Sequence, residues 1–188
     1  MIILMGYIFG LCIAVGAVSL ATLHDFRTFH IPNKLSGLVV LGFVLSFGAL
    51  FMLPPGQHFG PFRSLSEHLV TAGLMFLLTF SLFALRMFGA GDAKLASALA
   101  LWLGVFQGLP LFILYTSLCG GILGVITILL NRWKPIKNPP SGTWLAMAQA
   151  GENRVPYGIA IMGGFLITLV QLGYFDIMSL NALLENWG

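Results

Sequence analysis

Six apolar runs divide this chain, and nearly all of its charge lies in the segments between them. The runs cover residues 2–23, 35–53, 68–85, 95–109, 111–130 and 156–172. A helix that crosses a bilayer needs about 20 apolar residues. Only 8% of the 188 residues are charged, against about 25% in soluble domains. A chain with so few charges cannot cover itself for water, so its solvent is membrane lipid. The runs predict an all-α polytopic membrane protein with about six transmembrane helices, organised as one membrane-embedded domain over residues 1–188. No basic segment precedes the first run, which is too long for a signal-peptide core and reads as a retained span.

Six spans place the loops alternately on two sides. Arg27, Lys34, Arg86, Lys94, Arg132, Lys134, Lys137 and Arg154 fall on one side, and only Arg63 on the other. Basic residues mark the cytoplasmic side. The asymmetry predicts both chain termini outside, with Asp25 and Asp92 facing the cytoplasm. It also accounts for the net charge of +3 without any nucleic-acid partner. Trp133 and Trp144 read as interface anchors. The tail, with Ile177, Leu180, Leu183, Leu184 and Trp187 at helical spacing, reads as an interfacial helix. Gly120, Gly121 and Gly124 in one run suit close helix packing. Cys12 and Cys119 lie singly inside apolar runs and read as small buried hydrophobes, not as a zinc or redox pair. His24 and His30 flank Asp25, but no second ligand cluster converges with them, so no metal site is expected.

The chemistry is expected around Phe88-Gly89-Ala90-Gly91-Asp92-Ala93-Lys94. The run that follows has 15 residues, about 22 Å of helix, against a hydrocarbon core of about 30 Å. Asp92 therefore sits at or within the membrane edge, where a carboxylate is costly and signals function. It could also cap the following helix, since Asp is favoured at such ends; capping and catalysis are compatible. Asp25 follows the first run immediately, on the same face. Two facing carboxylates do not both ionise readily, so the pair holds one proton and offers a base and an acid. Such a pair can hydrolyse a peptide bond with water alone. Gly89 and Gly91 are expected to give the backbone freedom that admits a substrate strand. Arg27 and Lys94 read as topology anchors that also hold the loops. Pro32 restricts the chain entering the second span, and Glu152 reads as a solvated charge.

These residues resemble a known family. Gly89-Ala90-Gly91-Asp92 fits the GxGD signature of intramembrane aspartic proteases. Asp25, followed by Arg27 and Ile31-Pro32-Asn33, looks like the first-aspartate region of type IV prepilin peptidases. Asp92-Ala93-Lys94-Leu95, Leu101-Trp102-Leu103-Gly104 and Pro156-Tyr157-Gly158 are similar to the same family. The one departure is Ile159, where proline or another small residue is expected. The resemblance implies a peptidase of the bacterial inner membrane, with Asp25 and Asp92 as catalytic pair and Gly89, Gly91, Lys94, Arg27, Pro32 and Asn33 as supporting loop. Its partners would be prepilin or pseudopilin precursors and the pilus assembly machinery, and its cofactors none. The larger members carry an added domain with paired cysteines that methylates the new N-terminus. This chain has no such segment, so methylation is not expected, and its size is similar to the short members that serve Flp-type pili. Two other classes stay open: a non-catalytic assembly factor of a pilus or secretion system, and an ion-coupled transporter subunit. The transporter would need polar groups within several spans, whereas these acids gather at one face.

Overall fold

A computed structural model describes residues 2–53, 62–152 and 154–176. The described residues form seven helices and no strand: α1 Ile2–Thr28, α2 Asn33–Leu50, α3 Leu65–Ala84, α4 Ala90–Ala100, α5 Gly108–Trp133, α6 Trp144–Ala150 and α7 Tyr157–Gln171. Four of them, α1, α2, α3 and α5, are long and apolar enough to cross a membrane. The fifteen-residue α7 is apolar but shorter. The outward faces of α3 and α5 are apolar, with Leu69, Phe76 and Leu77 exposed on one and Leu118, Ile122 and Val125 on the other. A large exposed apolar surface of this kind belongs against lipid. The expected interfacial helix of the tail lies outside the described residues.

The first helix organises the rest. Tyr7, Leu11, Ala14, Val18, Ala21 and Asp25 are all buried, at the three- and four-residue spacing that lines up one helix face. This inward stripe packs on α2 and α7. Asp25 is its last member. The sequence reading ended the first span at residue 23 and put Asp25 in a loop; instead α1 continues to Thr28. It stops at Phe29, whose φ of 51° is left-handed and whose N–H is donated to the Asp25 carbonyl at 2.9 Å. Glycine usually takes such a helix stop, so Phe29 carries strain beside a candidate site.

The fourth run also differs from its expected form. Its helix begins at Ala90 and ends at Ala100, and residues 101–107 form a turn. Pro110 does not separate two spans. It lies in the first turn of α5, where proline is tolerated because the N–H it lacks has no helical acceptor. The polar segment after α5 contains the unexpected helix α6. Trp144 on α6 is buried against Phe26 of α1, with ring centroids 6.0 Å apart. It is therefore a packing residue and not an interface anchor, while Trp133 is exposed. Cys12 faces outward, contrary to its expected burial.

At the end of the bundle away from Asp25, Tyr7, Phe43, Phe62, His68, Trp102 and Tyr174 share edge and stacked ring contacts. Tyr7 precedes Asp25 by eighteen residues, about 27 Å along a helix. His68 is fully buried there. Its Nε2 accepts from the Arg63 N–H at 3.1 Å, and its Nδ1 lies 2.8 Å from the Leu101 carbonyl. This cluster ties α3 to the turn after α4 and fixes the height of α4 in the bundle.

Candidate active site

The two aspartates reach one cavity from different helices. Asp25 comes from the last turn of α1 and is 4% exposed. Asp92 comes from the first turn of α4. The cavity between them has a volume of about 320 Å³, and its walls include Phe29, His30 and Ile31 from the α1–α2 connection, Asn33 at the start of α2, Gly89 just before α4 and Gly91 in its first turn. A second cavity of about 330 Å³ lies at the opposite end of the bundle, beside Arg63, Glu67 and Gln107. It has one carboxylate and no matching pair.

Asp25 is held from α7. The Gly158 N–H is donated to Asp25 Oδ2 at 2.8 Å, and the Thr22 hydroxyl lies 3.0 Å from the Gly158 carbonyl and 2.9 Å from that of Val18. A Cβ on Gly158 would stand 3.0 Å from both Cβ and Oδ2 of Asp25. A side chain at position 158 would therefore press on the Asp25 carboxylate and have to displace it by a few tenths of an ångström.

Asp92 has a different environment. Its Oδ1 is buried and has no hydrogen-bond partner among the described residues. A buried polar atom left so costs about 1–3 kcal/mol. Burial raises its carboxyl to about 7, the negative charge of Asp25 adds to the rise, and the Gly89 backbone N–H opposes it. A carboxylic acid with that value is half protonated near neutral pH. Two carboxyls that share one cavity in this way titrate as a coupled pair.

The glycines act through space and not through backbone freedom. Gly89 has φ −76° and ψ 146°, angles open to any residue. A Cβ there would come within 2.5 Å of Asp92 Oδ2, and one on Gly91 within 3.1 Å of the Ile31 Cβ. Gly89 makes room for the carboxylate, and Gly91 lets α4 close on the α1–α2 connection. Lys94 Nζ donates to Asn33 Oδ1 at 3.1 Å, joining the first turn of α4 to the start of α2 across the cavity wall.

Of the residues singled out from the sequence, Asp25, Asp92, Gly89, Gly91, Lys94 and Asn33 meet at this cavity. Pro32 does not line it; it stands at the amino end of α2 with φ −63° and ψ 134° and fixes where that helix starts. Arg27 is exposed in the last turn of α1, outside the lining, where a cation favours the helix end. Sequence reasoning missed Thr22, Phe29 and Gly158. The only signal for Gly158 was its place in Pro156-Tyr157-Gly158, because its contribution is a backbone N–H.

Residues 6–125 match the model of the type IV leader peptidase family, a stretch that holds both aspartates. The chain is 34% identical over 134 residues to a prepilin leader peptidase/N-methyltransferase of Aeromonas hydrophila, covering 68% of this chain and 42% of that protein. It is 40% identical over 99 residues to a protein of the same description from Pseudomonas aeruginosa, covering 49% of this chain and 34% of the relative. The chain thus spans less than half the length of these relatives. No solved structure gives a significant match. With a family model matched across most of its length and Asp25 and Asp92 lining one cavity, this chain belongs to the type IV leader peptidase family.

Proposed function

We propose that the chain is an aspartic endopeptidase of the bacterial inner membrane. It removes the short basic leader from type IV prepilin-like precursors, of the Flp class, at the cytoplasmic face. The observation that carries the reading is the meeting of Asp25 and Asp92 in one cavity at the ends of apolar helices. In the reaction, the charged carboxylate takes a proton from water as the water oxygen attacks the peptide carbonyl carbon. The protonated partner gives its proton to the carbonyl oxygen. In collapse of the tetrahedral species, a hydroxyl proton returns to one aspartate, the other protonates the amine, and the C–N bond breaks. The pair ends with one proton, as it began. The precursor's own apolar helix would lie in lipid, with the scissile bond just beyond it at the depth of the two carboxyls.

The test is to incubate the protein, in membranes, with a Flp-type pilin precursor and to weigh the product. A species lighter by the basic leader is expected. A precursor that stays intact across a panel of prepilins would refute the reading.

Gly89→Ala is expected to slow cleavage by about 100-fold, the scale set by displacing a reacting group by about 1 Å. Its angles suit alanine, so thermal unfolding should stay unchanged while turnover falls. Unchanged turnover would mean that the Asp92 carboxyl need not stay where Gly89 leaves room for it.

Orientation can be checked separately. With Cys12 and Cys119 replaced by serine, Thr28→Cys and Ser141→Cys should resist an impermeant thiol reagent added from outside, and Phe106→Cys should react. Phe106 is 86% exposed, in the turn between α4 and α5. The reverse labelling pattern would put the aspartates on the outer face.

A further inference from the structure

The two aspartates are held unequally, and the difference assigns their roles. Asp25 Oδ2 receives a direct N–H from the first turn of α7 at 2.8 Å. Such a bond to a carboxylate favours the charged form. The positive end of α7 points at the same group, offsetting the carboxyl end of α1, where Asp25 sits. Asp92 has Oδ1 buried without an acceptor or donor among the described residues. A protonated Oδ1 could donate to an incoming carbonyl, whereas a charged one would be stranded.

We propose that the amino end of α7 is a positioning clamp: the Gly158 N–H, steadied by the Thr22 hydroxyl, holds Asp25 as the charged base and leaves the shared proton on Asp92 as the acid. The inference rests on the peptidase reading for the words base and acid, but the position of the proton does not. Of the other ionisable groups, His30 and Lys94 line the cavity, and Lys94 is turned toward Asn33. His24 and Arg27 on α1, Lys34 on α2, Arg132 at the end of α5 and Arg154 ahead of α7 are exposed. α6 has no ionisable side chain, and α7 contributes only Tyr157, itself exposed. Among the described residues, none of these offers Asp25 a second partner.

Thr22 and Gly158 touch no substrate in this scheme. They act through Asp25, so their effect should appear as a changed proton balance. A hydrophobic carbodiimide reacts with protonated carboxyls, and peptide mass mapping locates the adduct. At mildly acid pH, Asp92 should label ahead of Asp25, by about tenfold for each unit that separates them. Thr22→Val loses the hydroxyl and keeps the shape; it should raise the Asp25 label and move the acid limb of the cleavage profile up by roughly half a pH unit. The shift should appear in kcat with KM little changed, and Thr22→Ser should restore both readouts. Equal labelling of the two aspartates in the unaltered protein, or Asp25 labelled first, overturns the clamp. So does a Thr22→Val protein that unfolds normally and shows the parent labelling ratio. A chain that labels asymmetrically but cuts no precursor keeps the clamp and removes the peptidase reading. One that cuts but labels evenly does the opposite.

Discussion

Asp25→Asn and Asp92→Asn should each abolish detectable cleavage while the protein still inserts and folds. Positioned acid–base groups contribute about 10²–10⁴-fold each, and here the two act on one proton, so losing either disables both. The double variant should consequently be no slower than the worse single one. Folding should survive because the amide matches the carboxyl in shape. At position 25 the amide oxygen can still accept the Gly158 N–H that now reaches Asp25 at 2.8 Å. At position 92, one carboxyl oxygen already lacks a partner, so an amide there breaks no bond of that atom. The measurements are product mass after incubation with a precursor and thermal unfolding of each variant. A single variant that still cuts would show that the second proton-transfer group is another cavity residue, of which His30 is the nearest in kind.

What the sequence reveals about this site follows from what is written in side chains. The alternation of apolar runs and the one-sided cations made the membrane class and the shared face of Asp25 and Asp92 readable. The helical stripe Tyr7, Leu11, Ala14, Val18, Ala21, Asp25 was also present in the sequence. It was hidden because the span was ended where polar residues began, and a helix does not stop at the hydrocarbon edge. Backbone groups left no such trace. The hold on Asp25 is an N–H of Gly158, and a glycine in a motif does not say which of its atoms matters. Gly89 and Gly91 were noticed for the wrong property. Chain freedom is what glycine offers in isolation, but here the space beside Asp92 and Ile31 decides. Pro110 was misread because proline suits a helix start as well as a stop, and Trp144 because an aromatic at a loop edge looks the same whether it faces lipid or Phe26.

Gly42→Ala is expected to destabilise the protein by about 1–3 kcal/mol, the usual cost of overpacking, and Gly10→Ala by as much or more. The reason is the crossing of α1 and α2. A Cβ on Gly42 would stand 2.5 Å from the Gly10 carbonyl oxygen and 3.2 Å from the Ala14 nitrogen. A Cβ on Gly10 would collide with the Gly42 carbonyl and the Ser46 hydroxyl, which itself donates to the Tyr7 carbonyl at 3.0 Å. Backbone atoms cannot rotate aside, so the helices must part. In lipid there is little hydrophobic force to press them together again, and close packing of small residues is what holds them. Gly16→Ala and Gly37→Ala on the same two helices supply the control. Nothing lies within 4 Å of either added Cβ, and alanine favours a helix by about 1 kcal/mol over glycine, so these two should be neutral or slightly stabilising. Unfolding of the four variants in mixed micelles separates the pairs. Activity should fall with stability in Gly10→Ala and Gly42→Ala only. The same crossing brings Asp25 in the last turn of α1 to one cavity with Ile31 before α2 and Asn33 at its start, and parting the helices widens the cavity in which the two carboxyls meet. If all four variants unfold alike, small-residue packing does not hold α1 to α2, and the placement of Asp25 must come from α7 alone.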